Sequence, residues 1–306
     1  MSVAFCFPGQ GSQEVGMGAA MAAASPAAAA VYERAAAALG FAIAPLCFDG
    51  PIERLSATEV TQPALFTTTI ACLAAVRERG VEAAYVVGHS VGEYAAIVAA
   101  GAVDEADAFR LVRERGLATA EAAAAAPGAM AAVIGLEDAR VEELCAAIDG
   151  VWPANYNCPG QLVVSGTELG VTALIDAATA VGARRAIRLS VSGGFHSPLT
   201  ASAERRLGPA IAATRFHEPS IPFLSTVTCA LEGAAAIPDL LIRQLTAPVR
   251  FTQAVQELVR LGVTRFVEIG PGNVLAGLVR RIDRTVEAVA VSSPDGLARL
   301  EAMSGV

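Results

Sequence analysis

Residues 84–96 read Ala84-Tyr85-Val86-Val87-Gly88-His89-Ser90-Val91-Gly92-Glu93-Tyr94-Ala95-Ala96. The apolar run 84–87 has the character of a buried strand, and the segment 93–100 is helix-prone. Between them Gly88 and Gly92 flank Ser90 in the spacing Gly-x-Ser-x-Gly. Strand, sharp turn and helix around that pentapeptide define a nucleophile elbow. The glycines are needed because so tight a turn leaves no room for side chains beside the strained serine backbone. The turn lifts the hydroxyl out of the sheet and sets it at a helix N-terminus, where N–H groups and the macrodipole favour developing negative charge.

Outward from the elbow, the chain alternates strands and helices. Residues 3–7 read as a short buried strand, followed by the polar loop Pro8-Gly9-Gln10-Gly11-Ser12-Gln13. Residues 19–39 are alanine-rich and helical, interrupted where Ser25 can cap and Pro26 can start a new helix. Thr61-Gln62-Pro63 precedes a helix running to residue 79, and another helix spans 104–126. The alternation predicts an α/β fold with a mainly parallel sheet. Pro127-Gly128 breaks the pattern. Residues 129–134, 152–157, 161–165 and 185–191 then read as strands, with helices at 141–148 and 171–181. That order, βαββαβ, is the split pattern of a ferredoxin-like unit. The expected organisation is a discontinuous main domain, residues 1–126 and 195–306, carrying a ferredoxin-like insert at 127–194. The last clear unit is the strand 265–270, the turn Pro271-Gly272-Asn273 and a helix to residue 282. A cleft between sheet domain and insert is where a substrate would sit.

Composition narrows the function classes. The 306 residues suffice for one large domain with an insert. The hydrophobic share of 54% is inflated by alanine, and no unbroken apolar run of about 18 residues argues for a membrane span. No basic region precedes the first apolar residues, so no signal peptide is expected. Cys6, Cys47, Cys72, Cys145, Cys158 and Cys229 are scattered without a Cys-x-x-Cys, which reads as small buried hydrophobes in a reducing cytoplasm rather than disulfides or a metal site. The net charge of −8 argues against nucleic acid as a partner. All the basic residues are arginine. Two clusters, Arg184/Arg185/Arg188 and Arg280/Arg281/Arg284, suit either a solvated surface or a patch for an acidic carrier protein or coenzyme A phosphates.

A serine hydroxyl needs a base to attack at neutral pH. The chain has three histidines. His89 adjoins the nucleophile, so its ring is expected to brace the turn or line the pocket, and His217 lies in an exposed-looking loop. His196, in Gly193-Gly194-Phe195-His196-Ser197-Pro198, falls at the return from the insert, where catalytic groups collect. It is the candidate acid and base. No acidic residue occupies an obvious triad place. A backbone carbonyl or a glutamine can hold the imidazole instead, and Gln244 is a candidate that would equally suit a helix surface. An oxyanion hole needs two donors: Val91 N–H, after the nucleophile, and a second from the loop after the first strand, where Gln10 is well placed. Arg115, on the helix after the elbow helix, would select an acyl group bearing a carboxylate if it faces the cleft, and is one more surface arginine if it does not.

Taken together these residues resemble the malonyl-CoA:acyl carrier protein transacylase family, which includes acyltransferase domains of polyketide synthases. The resemblance runs over residues 3–290. It rests on Phe7-Pro8-Gly9-Gln10-Gly11-Ser12-Gln13, Thr61-Gln62-Pro63-Ala64-Leu65, Gly88-His89-Ser90-Val91-Gly92-Glu93, Arg113-Glu114-Arg115-Gly116 and Pro127-Gly128-Ala129-Met130-Ala131-Ala132. Asn155-Tyr156-Asn157-Cys158-Pro159-Gly160-Gln161, Phe195-His196-Ser197-Pro198-Leu199 and Glu268-Ile269-Gly270-Pro271-Gly272 complete it. It implies an α/β-hydrolase-like domain with a ferredoxin-like insert. Ser90 would be the nucleophile, His196 the acid/base, Gln10 and Val91 the oxyanion hole, and the Gln244 main-chain carbonyl the group that orients His196. Arg115 would bind the malonyl carboxylate, with Gln10, His89 and Phe195 lining the substrate site. The implied reaction is ping-pong: malonyl passes from coenzyme A to Ser90, then to the phosphopantetheine thiol of acyl carrier protein, for fatty acid synthesis. No bound cofactor and no metal are implied, and the enzyme would be a cytoplasmic monomer, engaging neither nucleic acid nor membrane. Phe195 before the histidine resembles malonyl-selective members. Thr119 and Thr200 stand where members often carry methionine, and Gly193-Gly194 is less usual; these small residues would leave a roomier pocket. The alternatives are a stand-alone acyltransferase serving a polyketide synthase or malonate decarboxylase, a serine hydrolase or thioesterase using the same elbow, and an idle carrier-binding module.

Overall fold

The computed structural model describes residues 2–304. In chain order its strands are β1 (Ser2–Phe7), β2 (Tyr85–Gly88), β3 (Ala129–Ile134), β4 (Val151–Cys158), β5 (Gln161–Gly166) and β6 (Arg185–Arg188). Then come β7 (Phe223–Leu224), β8 (Leu231–Glu232), β9 (Val263–Ile269) and β10 (Glu287–Val291). They form two sheets. The larger, ordered β10-β9-β1-β2-β7-β8, is parallel except for β7 with β8. The smaller, ordered β4-β5-β3-β6, is antiparallel throughout. The mixed α/β reading therefore holds, with the parallel and antiparallel parts separated along the chain as their patterns suggested.

The register of the larger sheet positions the chemistry. β1 lies beside β2 with Phe7 opposite Gly88. The loop after β1, which carries Gln10, therefore leaves the sheet next to the elbow that carries Ser90. The approach is close: a Cβ on Gly92 would lie 2.1 Å from the Phe7 carbonyl oxygen, and one on Gly88 2.1 Å from the Glu93 nitrogen. No larger residue fits at either position without moving backbone.

Helices cover the larger sheet. Helix Pro26–Leu39 starts at Pro26 behind Ser25, whose hydroxyl accepts from Ala28 N–H. Helices Thr58–Glu78 and Glu105–Ala125 bury long apolar faces in the main core with the elbow helix Gly92–Ala99. Pro63 does not precede its helix, as the sequence suggested, but sits in the second turn of Thr58–Glu78. Burial of nearly every residue from 58 to 76 outweighs the cost of one proline. That helix has the length and apolar composition to cross a membrane, but most of it is buried inside the protein, as core helices are.

The smaller sheet packs one face on its own helices, Asp138–Ala147 and Glu168–Ala180, through Ala129, Ala131, Val133, Leu162 and Val164. Its other face, with Met130, Ala132, Ala154 and Val163, gathers Leu189, Val191 and Phe195. Part of this second face becomes a wall of the active-site cavity. Backbone hydrogen bonds from Val249 N–H to Ala154 O (2.8 Å) and from Tyr156 N–H to Val249 O (2.9 Å) tie β4 to the segment that follows Gln244.

Candidate active site

Ser90 stands at φ 53° and His196 at φ 57°, both in the left-handed region that side-chain-bearing residues seldom occupy. Such strain persists where the surroundings enforce it, and it clusters at functional sites. Ser90 is held by the elbow. His196 follows Gly193-Gly194, which are pressed against neighbours: a Cβ at Gly193 would lie 2.6 Å from that of Ala123. A Cβ at Gly194 would likewise lie 2.8 Å from a Leu199 methyl, so both glycines serve close packing.

Ser90 Oγ and His196 Nε2 are 2.7 Å apart, although 106 residues separate them. His196 Nδ1 faces two carbonyl oxygens, Gln244 O at 2.9 Å and Ala247 O at 3.2 Å. Carbonyls only accept, so Nδ1 carries the proton and donates; Nε2 is then the free base and the Ser90 hydroxyl donates to it. Burial, reinforced by the nearby Arg115 and His89, lowers the His196 pKa to about 3, against the pull of the two carbonyls. The imidazole is thus neutral throughout the physiological range. The rate of Ser90 acylation should accordingly show no His196 titration between about pH 5 and about pH 8. Single-turnover rates across that range check this, and an acid limb near the ordinary histidine value of about 6.5 would contradict it.

Arg115 is 4% exposed. It does face the cavity. Nη2 donates to Ser90 Oγ (3.2 Å) and to Gln244 Oε1 (3.0 Å), and Nη1 donates to Gln62 Oε1 (2.7 Å). Its Cζ lies 5.7 Å from the centre of the Tyr94 ring. Nε has no hydrogen-bond partner among the described residues, and Arg115 makes no direct ion pair with any of them. Burial lowers its pKa, opposed chiefly by Tyr94 and Glu93. A buried guanidinium without a direct carboxylate partner is costly unless an anion is meant to arrive.

The cavity holding these groups has an empty volume of about 620 Å³. Gln10, His89, Thr119, Phe195 and Thr200 border it, with Met130, Leu189 and Val191 closing the apolar side. The Thr119 hydroxyl donates to Arg115 O (2.8 Å) and receives Gln62 Nε2 (2.9 Å); the Thr200 hydroxyl donates to Leu245 O (2.6 Å). Both hydroxyl protons are therefore committed to neighbouring backbone carbonyls. His89 Nε2 pairs with Asn157 Oδ1 at 3.0 Å, bracing the elbow against β4, and burial lowers its pKa. The N–H groups of Gln10 and Val91 donate to no described residue. His217 lies elsewhere, its backbone tied to Ala102.

Two participants escaped the sequence reading. Gln62 was visible only as part of a motif, and Glu93 as an acidic residue in a helix first turn. Glu93 is fully buried and hydrogen-bonded to Gln244. The arginine clusters are partly engaged: Arg188 pairs with Glu168, and Arg281 donates to Gln161. Among the described residues no group of three or more His, Cys, Asp or Glu is placed to hold a metal.

An elbow serine bonded to a neutral histidine, beside a buried guanidinium, can hold an acyl group as an ester while binding its charged end. Those features belong to the serine-nucleophile acyl-transfer class. The chain is a member of the family described as acyl transferase domain, whose pattern it matches over residues 4–296. It is 42% identical over 298 residues to the malonyl CoA-acyl carrier protein transacylase of Bacillus subtilis, covering 96% of this chain and 94% of that one. The Escherichia coli K12 protein of the same name is 43% identical over 300 residues, covering 96% and 97%. Among solved structures, the malonyl CoA-acyl carrier protein transacylase of Coxiella burnetii superposes with a TM-score of 0.95 at 38% identity, covering 98% of this chain and 96% of that one. A malonyl-transacylase solved in complex with its type II polyketide synthase acyl carrier protein gives 0.96 at 38% identity, with full coverage of both.

Proposed function

We propose that the protein is a malonyl-CoA:acyl carrier protein S-malonyltransferase serving fatty acid synthesis. The observation that carries this reading is the placement of the Arg115 fork in the cavity of Ser90, with Nη2 3.2 Å from the nucleophilic oxygen. A malonyl thioester has its carboxylate two bonds beyond the reacting carbonyl carbon, so an anion-binding group is needed close to the nucleophile. The relatives' names support the same substrate.

In this mechanism the Ser90 proton passes to His196 Nε2 as Oγ attacks the thioester carbonyl carbon. The Gln10 and Val91 N–H groups bind the oxyanion. The intermediate collapses, the C–S bond breaks, and the departing coenzyme A sulfur takes the proton from His196. Malonyl remains as the Ser90 ester. The phosphopantetheine thiol of the carrier then gives its proton to His196 and attacks the ester; the second oxyanion expels Ser90 Oγ, which recovers the proton. No bound cofactor or metal takes part. Gln244 O keeps the imidazole turned, and His89 and Phe195 shape the acyl site.

The wider reading is an α/β-hydrolase-like domain of residues 1–126 and 195–306 with a ferredoxin-like insert at 127–194. Strand order β4-β5-β3-β6 with a helix after β3 and another after β5 supports the insert. The reading includes a monomeric, cytoplasmic enzyme with acyl carrier protein and coenzyme A thioester as partners; the six free cysteines support only its reducing compartment. A polyketide carrier is the second reading, favoured by the likeness to the transacylase solved with such a carrier. Incubation with labelled malonyl-CoA and phosphopantetheinylated acyl carrier protein should transfer label to the carrier thiol. Carrier-independent release of free malonate would instead make the protein a hydrolase.

A further inference from the structure

Among the described residues, Glu93 is the one acidic side chain whose carboxylate is wired to the catalytic groups, yet it touches none of the reacting atoms. It is fully buried in the first turn of the elbow helix. One oxygen accepts from Thr226 N–H (2.5 Å), Thr226 Oγ1 (2.8 Å) and Ser225 Oγ (3.3 Å); the other accepts from Gln244 Nε2 (2.5 Å). Gln244 is in turn a junction. Its Nε2 also donates to Ser90 O (3.1 Å), its Oε1 accepts from Arg115 Nη2 (3.0 Å), and its main-chain carbonyl accepts from His196 Nδ1 (2.9 Å).

The orientation of the Gln244 amide follows from charge. A carboxylate only accepts and a guanidinium only donates, so the NH2 end must face Glu93 and the oxygen must face Arg115. Burial raises the Glu93 pKa, and the donors on Thr226, Gln244 and Ser225 oppose that rise; with Glu93 ionised, a neutral amide stands between a buried anion and a buried cation. Direct contact of Glu93 with Arg115 would satisfy the fork and compete with an incoming carboxylate. Separation by one amide offsets the cation's burial while leaving the fork unpaired by any acid. The Arg115 pKa, lowered by burial, is pulled back in part by Glu93, so the two charges sense one another. On the other side Thr119 holds Gln62 in the same manner, its hydroxyl receiving the amide whose oxygen takes Arg115 Nη1.

We propose that Glu93 is a positioning residue that, through the Gln244 side-chain amide, seats Arg115 for an acyl carboxylate and so sets the preference for carboxylated over neutral acyl groups. This rests on the reading of Arg115 as the carboxylate ligand. The substitution Glu93→Gln defines the consequence. The introduced amide would keep an acceptor toward the Thr226 N–H only by turning its own NH2 toward Gln244. The Gln244 amide would then flip to accept from it, pointing NH2 at the guanidinium, donor against donor. The flip would also turn Oε1 toward Ser90 O, which now accepts from Nε2 (3.1 Å), a loss common to both acyl donors; the main-chain carbonyl that holds His196 is not part of it.

The test compares single-turnover acylation of Ser90 by malonyl-CoA and by acetyl-CoA, with thermal unfolding as the control for folding. Glu93→Gln should slow acetyl acylation several-fold through the lost bond to Ser90 O, and should slow malonyl acylation about 10-fold more than that. In an Arg115→Ala background the same substitution should change the malonyl-to-acetyl ratio by less than about 2-fold, because its target is gone. Equal slowing with both substrates, or an undiminished effect in the Arg115→Ala background, would overturn the proposal. A ratio unaltered by Arg115→Ala alone would overturn the carboxylate reading beneath it, a separate failure. Should Glu93→Gln not fold, Gln244→Met, which removes the amide but keeps the main-chain carbonyl, must lower the ratio in the same way; an unchanged ratio there overturns the proposal as well.

Discussion

Ser90→Ala should abolish the covalent acyl-enzyme that intact-mass measurement detects after brief exposure to malonyl-CoA, and should slow transfer to the carrier on the order of 10⁵-fold. The effect is large because no other group can take over. Among the described residues His196 Nε2 has only Ser90 Oγ within reach, at 2.7 Å, and its Nδ1 is committed to two carbonyls. Arg115 and the two backbone donors would remain, so the substrate should still bind. The fold should survive, because the two hydrogen bonds lost, to His196 and from Arg115, are replaceable by water entering the cavity. A persisting adduct on another residue would transfer the nucleophile's role elsewhere and end the account given for this site.

The elbow was legible because it is local. Strand, glycines, serine and helix lie within 13 consecutive residues, and their conformations follow from residue type. The antiparallel unit was legible for a similar reason: its strands and helices are long enough for their periods to be read. The two-residue strands β7 and β8 are too short to carry any period; β7 is held by the edge of β2, and β8 in turn by β7. Pro63 misled because an intrinsic cost of one residue was set against local sequence alone, whereas its helix is stabilised by burial in the core. Glu93 is the instructive case at the site. A glutamate in a helix first turn is ordinary at a solvent-facing N-terminus. What buries it is the return of residues 225, 226 and 244, more than 130 positions further along the chain. Arg115 was ambiguous for the same reason. Its helix spacing did not say which face meets the cavity; in the fold that helix packs closely on the backbone of Thr58 and Glu59 at Gly116 and turns Arg115 inward.

Arg115→Ala should lower the rate of Ser90 malonylation by about 10³-fold while slowing acetylation less than about 5-fold. The malonyl carboxylate must leave water to enter a cavity closed on one side by Met130, Leu189 and Val191, and a carboxylate buried without a partner costs several kcal/mol. Two charge-assisted hydrogen bonds from the guanidinium, at about 1.5–3 kcal/mol each, offset that cost, and their sum sets the size of the expected loss. Acetyl has no charge to desolvate, so it forfeits none of this. Acetyl transfer is also protected by a compensation. Arg115 is among the groups that hold the His196 pKa down, so its removal makes the imidazole a stronger base as it takes the Ser90 proton. Arg115→Lys should fall between the two, nearer to alanine. An ammonium is a point charge and cannot bridge Gln62 and Gln244 while still presenting a fork to the substrate. Rates measured with both thioesters decide the matter. Parallel losses would mean that Arg115 supports the architecture of the site rather than the charge of its substrate, and the choice of malonyl would then need another cause.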